Sequence, residues 1–346
     1  MADEPKEYYN ATVLKLDFSQ SKVKGKMVAT ASVDEAGVKV TKGKANTPHH
    51  WVKDVQTDLA AVGYGDAKKA NGVYTGDWKR HTLRFQRHAK RIYRMKADKK
   101  IDDVATMAVF SGDADGVFDK ATATELRKWI DQGWVLPLER FPIENLAIGG
   151  KLRKDAADAW DILVKKVSDK GGIIGTPYGD TLRPLKKTTK VGTSKFSFHY
   201  TGRAVDINQA LGGGKGKRYY AVKEIVGTDT YWRLWCKTDK QDGTQGIKIE
   251  KKTKMAWIFS SKVEKAFPEG YYFDLTAEIE STGTFERIHA QKGWESSYNK
   301  TEWWHFQYKL DKQETFQDEL EMIGIDEAKM RKNGWDTDTQ LDHKPG

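Results

Sequence analysis

Two stretches of the chain supply two imidazoles and two carboxylates: Ser-Phe-His-Tyr-Thr-Gly-Arg-Ala-Val-Asp at 197 to 206 and Glu-Trp-Trp-His-Phe at 302 to 306. Neutral histidine nitrogen and carboxylate oxygen are donors that Zn²⁺ takes in catalytic sites, where three protein groups hold the metal and the fourth position is left to water. His199 and Asp206 stand seven residues apart in the sequence. Side chains alternate faces along an extended segment, so these two meet only if the chain bends near Gly202. Thr201-Gly202, between two strand-like runs, is such a bend. Glu302 and His305 share a face if their segment is helical or tightly curved, whereas the run Glu-Trp-Trp-His-Phe-Gln-Tyr has strand character. Both readings stay open at the level of sequence.

The double motif, Ser-x-His-x-x-Gly-x-Ala-x-Asp followed by Glu-x-x-His, resembles that of the D-alanyl-D-alanine carboxypeptidase-type zinc peptidases. These belong to the wider group that includes lysostaphin and the hedgehog signalling domain. The resemblance runs over residues 150 to 310. It implies that His199, Asp206 and His305 bind zinc and that Glu302 is the general base. The chemistry of the residues agrees, because a carboxylate left free beside such a metal can take a proton from water and pass it to the leaving amine. A cation is expected for the developing oxyanion or a substrate carboxylate. Arg183 stands where the family carries such an arginine; the competing reading is an ordinary exposed cation, one of 59 Lys and Arg. Ser197 either contacts substrate, as the resemblance suggests, or ties its own turn. Trp303 and Trp304 are expected to pack behind the site. His289 is either a helper in catalysis or an uninvolved side chain.

The elements that must position these groups follow from the pattern of the chain. Residues 1–48 form a basic leader with two alternating runs, at 11–18 and 26–33, that predict short strands. From 49 to 136 the spacing is helical. Val55, Leu59 and Val62 draw one stripe ended by Gly63, and Leu126, Trp129 and Ile130 draw another. Two turns, Asn-Gly-Val-Tyr at 71 and Asp-Gly-Val-Phe at 115, each feed a helix and make a weak internal repeat of roughly 44 residues. With Gly63-Tyr64 and Phe85-Gln86 they resemble the three-helix peptidoglycan-binding domain of wall hydrolases, interrupted by an insertion from Lys90 to Ser111. Arg80, Arg84, Arg87 and Arg91 have the spacing of a solvated helix face. Residues 137–150 read as a linker.

The zinc peptidase domain is expected at 151–312, with a helix whose apolar face is Leu152, Ala156, Trp160, Leu163 and Val167. That helix packs on a small antiparallel sheet with flanking helices, an α+β arrangement that carries the metal motifs. The connection from Asp206 to Glu302 is long for the family and is read as an insertion at about 209–285. Within it, Thr228 to Cys236 and Gly246 to Ile258 predict one hairpin bordering the cleft. Gly-Gly-Gly-Lys-Gly-Lys from Gly212 lacks the full phosphate-loop spacing and reads as a turn. Residues 313–346 predict an acidic helical tail.

Composition bounds the rest. With 346 residues, 38% hydrophobic residues and 12 Trp, the chain can fold two domains. A net charge of +10 suits an anionic partner, either nucleic acid or the phosphate-bearing polymers of a bacterial envelope. No nucleic-acid reader motif is recognisable. Cys236 is the only cysteine, so no intrachain disulfide and no Cys-x-x-Cys metal site is available. No apolar run reaches membrane-spanning length, and the N-terminus lacks the pattern of a secretory signal. The resulting expectation is a Zn²⁺-dependent peptidase of peptidoglycan stem or cross-link peptides. It would be made in the cytoplasm and act in the periplasm or wall as a phage endolysin or a secreted antibacterial effector. An immunity protein or a secretion machine would be a further partner, with no nucleic acid and no membrane insertion. The alternative is an inert zinc-bearing wall-binding module.

Overall fold

Apolar spacing decides the first helices. The computed structural model describes residues 6–11, 14–23, 26–35, 38–39, 43–44, 50–187, 196–212, 217–309 and 315–335. The chain divides into two compact units, Met1–Glu139 and Arg140–Gly346. Among the described residues there are seven α-helices and several small antiparallel sheets.

In the first unit, β1 (Leu14–Val23) and β2 (Lys26–Glu35) form an antiparallel pair extended by the two-residue strands β3 (Val38–Lys39) and β4 (Gly43–Lys44). Helix α1 (His50–Ala61) buries Val55 and Leu59 fully and ends at Gly63, whose φ of +96° suits glycine. Helix α2 (Gly76–Ala89) follows the first turn. The Lys90–Ser111 segment holds a hairpin, β5 (Tyr93–Lys96) with β6 (Ile101–Asp103). The second turn leads through β7 (Phe118–Asp119) into α3 (Lys120–Gln132), where the Asp119 side chain accepts the Thr122 amide at 2.8 Å. Strand β8 (Trp134–Val135) then pairs with β5. Because β7 pairs with β1, the strands described within the leader belong to this unit's sheet.

The internal repeat is carried by two glutamines. Gln56 accepts the Gly72 amide and donates to the Val73 carbonyl, both at 2.8 Å. Gln86 repeats this with Gly116 and Val117, at 2.9 and 2.8 Å. Each helix thereby holds the turn that feeds a later one. The solvated arginine face is corrected in part by the fold: Arg87 and Arg91 are half-buried, whereas Arg80 and Arg84 are only 2% and 3% exposed. The four-residue spacing placed them on the buried side of α2, next to Phe85 and His88.

In the second unit, β9 (Ile143–Asn145) pairs with β10 (Lys151–Arg153), so the expected linker contains a strand at 143–145. Helix α4 (Lys154–Asp169) presents Trp160, Leu163 and Val167, all fully buried, and Trp160 meets Phe285 edge-on at 4.8 Å. The expected hairpin within the long connection is replaced by another pairing. Strand β12 (Tyr219–Val226) turns at Gly227, φ +62°, directly into β13 (Asp229–Lys237). The Gly246–Ile258 run splits into β14 (Ile247–Ile249) and β15 (Met255–Ile258), the latter paired with β16 (Val263–Ala266). Strand β17 (Gly270–Asp274) lies between β13 and β14 and leads to helix α5 (Leu275–Glu280). A two-residue turn closes β12 on β13 before the longer Lys240–Thr244 loop can act as a hairpin.

The sheet that carries the motifs has three strands in the order β11 (Ala204–Asp206), β19 (His305–Tyr308) and β18 (Phe285–Arg287). The tail is a pair of short helices, α6 (Phe316–Met322) and α7 (Glu327–Lys332). Phe316, Leu320, Met330 and Trp335 bury Tyr200, so the tail supports the loop that carries His199. Residues 213–216 of the glycine-rich stretch, and the tail beyond Trp335, lie outside the described residues.

Candidate metal centre

Register builds the site. Asp206 on β11 stands directly opposite His305 on β19, and directly opposed side chains of an antiparallel pair lie on one face about 5 Å apart. His199 arrives from the preceding 3₁₀ turn, Phe198–Thr201, which closes at Gly202 with φ +70°. A Cβ on Gly202 would lie 2.8 Å from the Arg153 backbone nitrogen, so this motif position demands glycine on two grounds. The sequence bend between His199 and Asp206 is therefore present.

The donor atoms of His199, Asp206 and His305 all lie within 4.8 Å of one another. Asp206 Oδ1 is 3.2 Å from His199 Nε2 and 2.9 Å from His305 Nδ1. His199 Nδ1 lies 2.7 Å from the Thr181 carbonyl oxygen, which can only accept, so Nδ1 carries a proton and, in the neutral ring, Nε2 is the nitrogen that holds the lone pair. Two imidazole nitrogens and a carboxylate oxygen converging on one point are the donor set that a divalent transition metal takes, so the residues fit such an ion.

The electrostatics without a metal are those of three coupled groups. Burial raises the cost of a charged Asp206, but hydrogen bonds from both histidines outweigh it and hold the carboxyl well below its ordinary value. The two imidazoles move in opposite directions against the same carboxylate. Burial would lower His199, yet the Asp206 hydrogen bond and charge prevail and raise it, whereas burial prevails at His305 and lowers it. One carboxylate supports one imidazolium, and that charge repels a second.

Glu302 is not part of a helix or a regular strand. It sits in the tight turn before β19, with φ of +53°, and its carbonyl accepts the His305 amide at 3.1 Å. Curvature, rather than helix, brings it onto the site. Burial first, and the Asp206 charge second, push its carboxyl up to about 7. His199, Asp206, Glu302 and His305 all line one cleft of about 650 Å³.

Arg183, Ser197 and His289 line the same cleft. Arg183 Nε donates to Asp180 Oδ2 at 2.8 Å, Nη2 reaches the same oxygen, and the guanidinium lies 5.5 Å from the Tyr200 ring centre. It is a fixed cation and not a free surface one. Ser197 Oγ accepts the His199 amide at 3.3 Å, so its observed bond ties its own turn. His289 Nδ1 faces the Ala290 carbonyl at 3.1 Å. Trp303 and Trp304 are both buried, and Trp304 also lines the cleft. Tyr231 of β13 lines the cleft, so the long connection does border it.

Scans against protein-family models, curated proteins and solved structures return no match. The site stands on its own geometry.

Several residues of the site escape sequence reasoning. Thr181 acts through its carbonyl, which no side-chain pattern reports. Asp180 could have been found from its i, i+3 spacing to Arg183. Glu319 of α6 accepts from Arg153 Nη1 at 2.6 Å and Arg203 Nη1 at 2.7 Å, and Arg203 Nη2 donates to the Tyr308 carbonyl at 2.7 Å. This buried network ties the tail to both strands that carry Asp206 and His305.

Proposed function

We propose that the protein is a zinc peptidase acting on the stem or cross-link peptides of peptidoglycan. The observation that carries this reading is the convergence of His199, Asp206 and His305 in one cleft with Glu302, a carboxylate outside the triad. The chemistry supplied at such a site when zinc is bound is activation of water and polarisation of an amide carbonyl. Glu302 takes a proton from water and returns it to the leaving nitrogen, a task suited to a carboxyl pushed up to about 7. Arg183, steadied by Asp180, faces the developing negative charge or a substrate carboxylate, and Ser197 at the rim contacts the peptide. The first unit's paired turn-and-helix repeat supports a role in wall binding, and the net charge of +10 favours an anionic polymer. An endolysin and an exported antibacterial effector both fit this activity. An inert zinc-bearing module has no use for a desolvated carboxylate at Glu302.

Digesting purified muropeptides with wild type and Glu302→Ala and analysing the products by mass spectrometry tests the reading. Free alanine alone identifies a carboxypeptidase, and loss of cross-linked dimers identifies an endopeptidase. Identical, unchanged muropeptides with both proteins would overturn it.

A further inference from the structure

Glu302 is a residue with a Cβ held at φ +53°, a region that costs about 1–2 kcal/mol for such residues. Its backbone preference therefore does not orient its side chain, and an outside partner must. Among the described residues that partner is Gln291, whose Nε2 donates to Glu302 Oε1 at 2.6 Å. Gln291 is itself well anchored. Its amide donates to the Lys300 carbonyl at 2.8 Å, closing the loop that ends just before Glu302, and its carbonyl accepts the Trp294 amide at 3.1 Å. Trp294 is buried against Trp232, with ring centres 5.1 Å apart.

We infer that Gln291 is a positioning residue for the proposed general base: its amide fixes Oε1 of Glu302 and leaves Oε2 to exchange a proton with water in the cleft. The inference rests on the peptidase reading of the same site. A neutral amide is suited to this role. A lysine at the same place would form an ion pair and remove the basicity that burial confers, whereas an amide orients the carboxylate without cancelling its charge.

The test compares the zinc-loaded full chain with Gln291→Met, which keeps length and bulk but has no donor. The expected result is a kcat lowered about 10- to 100-fold, the loss of one hydrogen bond to a charged group, with KM and zinc stoichiometry unchanged. If Gln291→Met does not fold, Gln291→Asn withdraws the same amide by one methylene and is expected to give the same split. An unchanged kcat, or a loss confined to KM or metal content, would overturn the inference. A wild type that cuts no muropeptide overturns the peptidase reading instead.

Discussion

Glu319→Ala is the perturbation with the largest expected effect outside the metal ligands. The Glu319 side chain is fully buried, and each oxygen takes one guanidinium, Arg153 at 2.6 Å and Arg203 at 2.7 Å. Removing it affects the two arginines unequally. Arg153 keeps Asp155, at 2.7 and 2.8 Å, but Arg203 keeps the Tyr308 carbonyl and the face of the Phe198 ring at 4.4 Å, neither of which carries a formal charge. Even with Glu319 present, burial holds Arg203 down to about 10, and burial likewise raises Glu319, so the network sits close to the limit of what pairing can offset. Leaving a buried cation uncompensated costs about 3–5 kcal/mol. For a domain of roughly 200 residues that lowers the melting temperature by about 6–20 °C, measured by calorimetry. Replacing the carboxylate together with Arg203, as Arg203→Met with Glu319→Leu, is expected to recover part of the loss. Because Arg203 lies between His199 and Asp206, zinc affinity should fall as well. A Glu319→Ala variant within about 1 kcal/mol of wild type would refute the reasoning.

The remaining expectations concern both units. Glu302→Gln should retain zinc and lose about 10²–10⁴-fold in kcat, measured on muropeptides. In metal-free protein the Glu302 carboxyl, raised by burial, should titrate near 7, protonated below that value and ionised above it, as followed by ¹³C NMR. Gln56→Leu and Gln86→Leu should each cost about 1–3 kcal/mol in denaturant unfolding, because each leaves a turn amide and a carbonyl without their partner. Tyr231→Ala should alter the pattern of cleaved peptides while leaving melting near wild type, a comparison that deletion of the hairpin cannot offer, since Leu234 and Cys236 are fully buried in the core.

The convergence of His199, Asp206 and His305 was legible in sequence because metal chemistry restricts residue type and because Gly202 marks the bend between two of them. The helix stripes were legible too: Val55, Leu59, Trp160 and Leu163 are all buried as their spacing implied. Strand pairing was not. Alternation reports that β13 and β14 are strands but not that β17 comes between them, a choice made by turn length and distant packing. The arginines of α2 failed for a related reason, since charge is an indicator of exposure only until buried partners are available. Main-chain acceptors such as Thr181, and the carboxylate of Glu319 reaching two strands from a tail helix, leave no local signature at all.

Zinc titration by calorimetry into metal-free wild type, His305→Ala and Asp206→Asn tests the centre most directly. One equivalent bound tightly by wild type, and affinity lost by orders of magnitude in both variants, is the expected result. Equal binding by all three proteins, or none by wild type, would contradict a metal held by His199, Asp206 and His305.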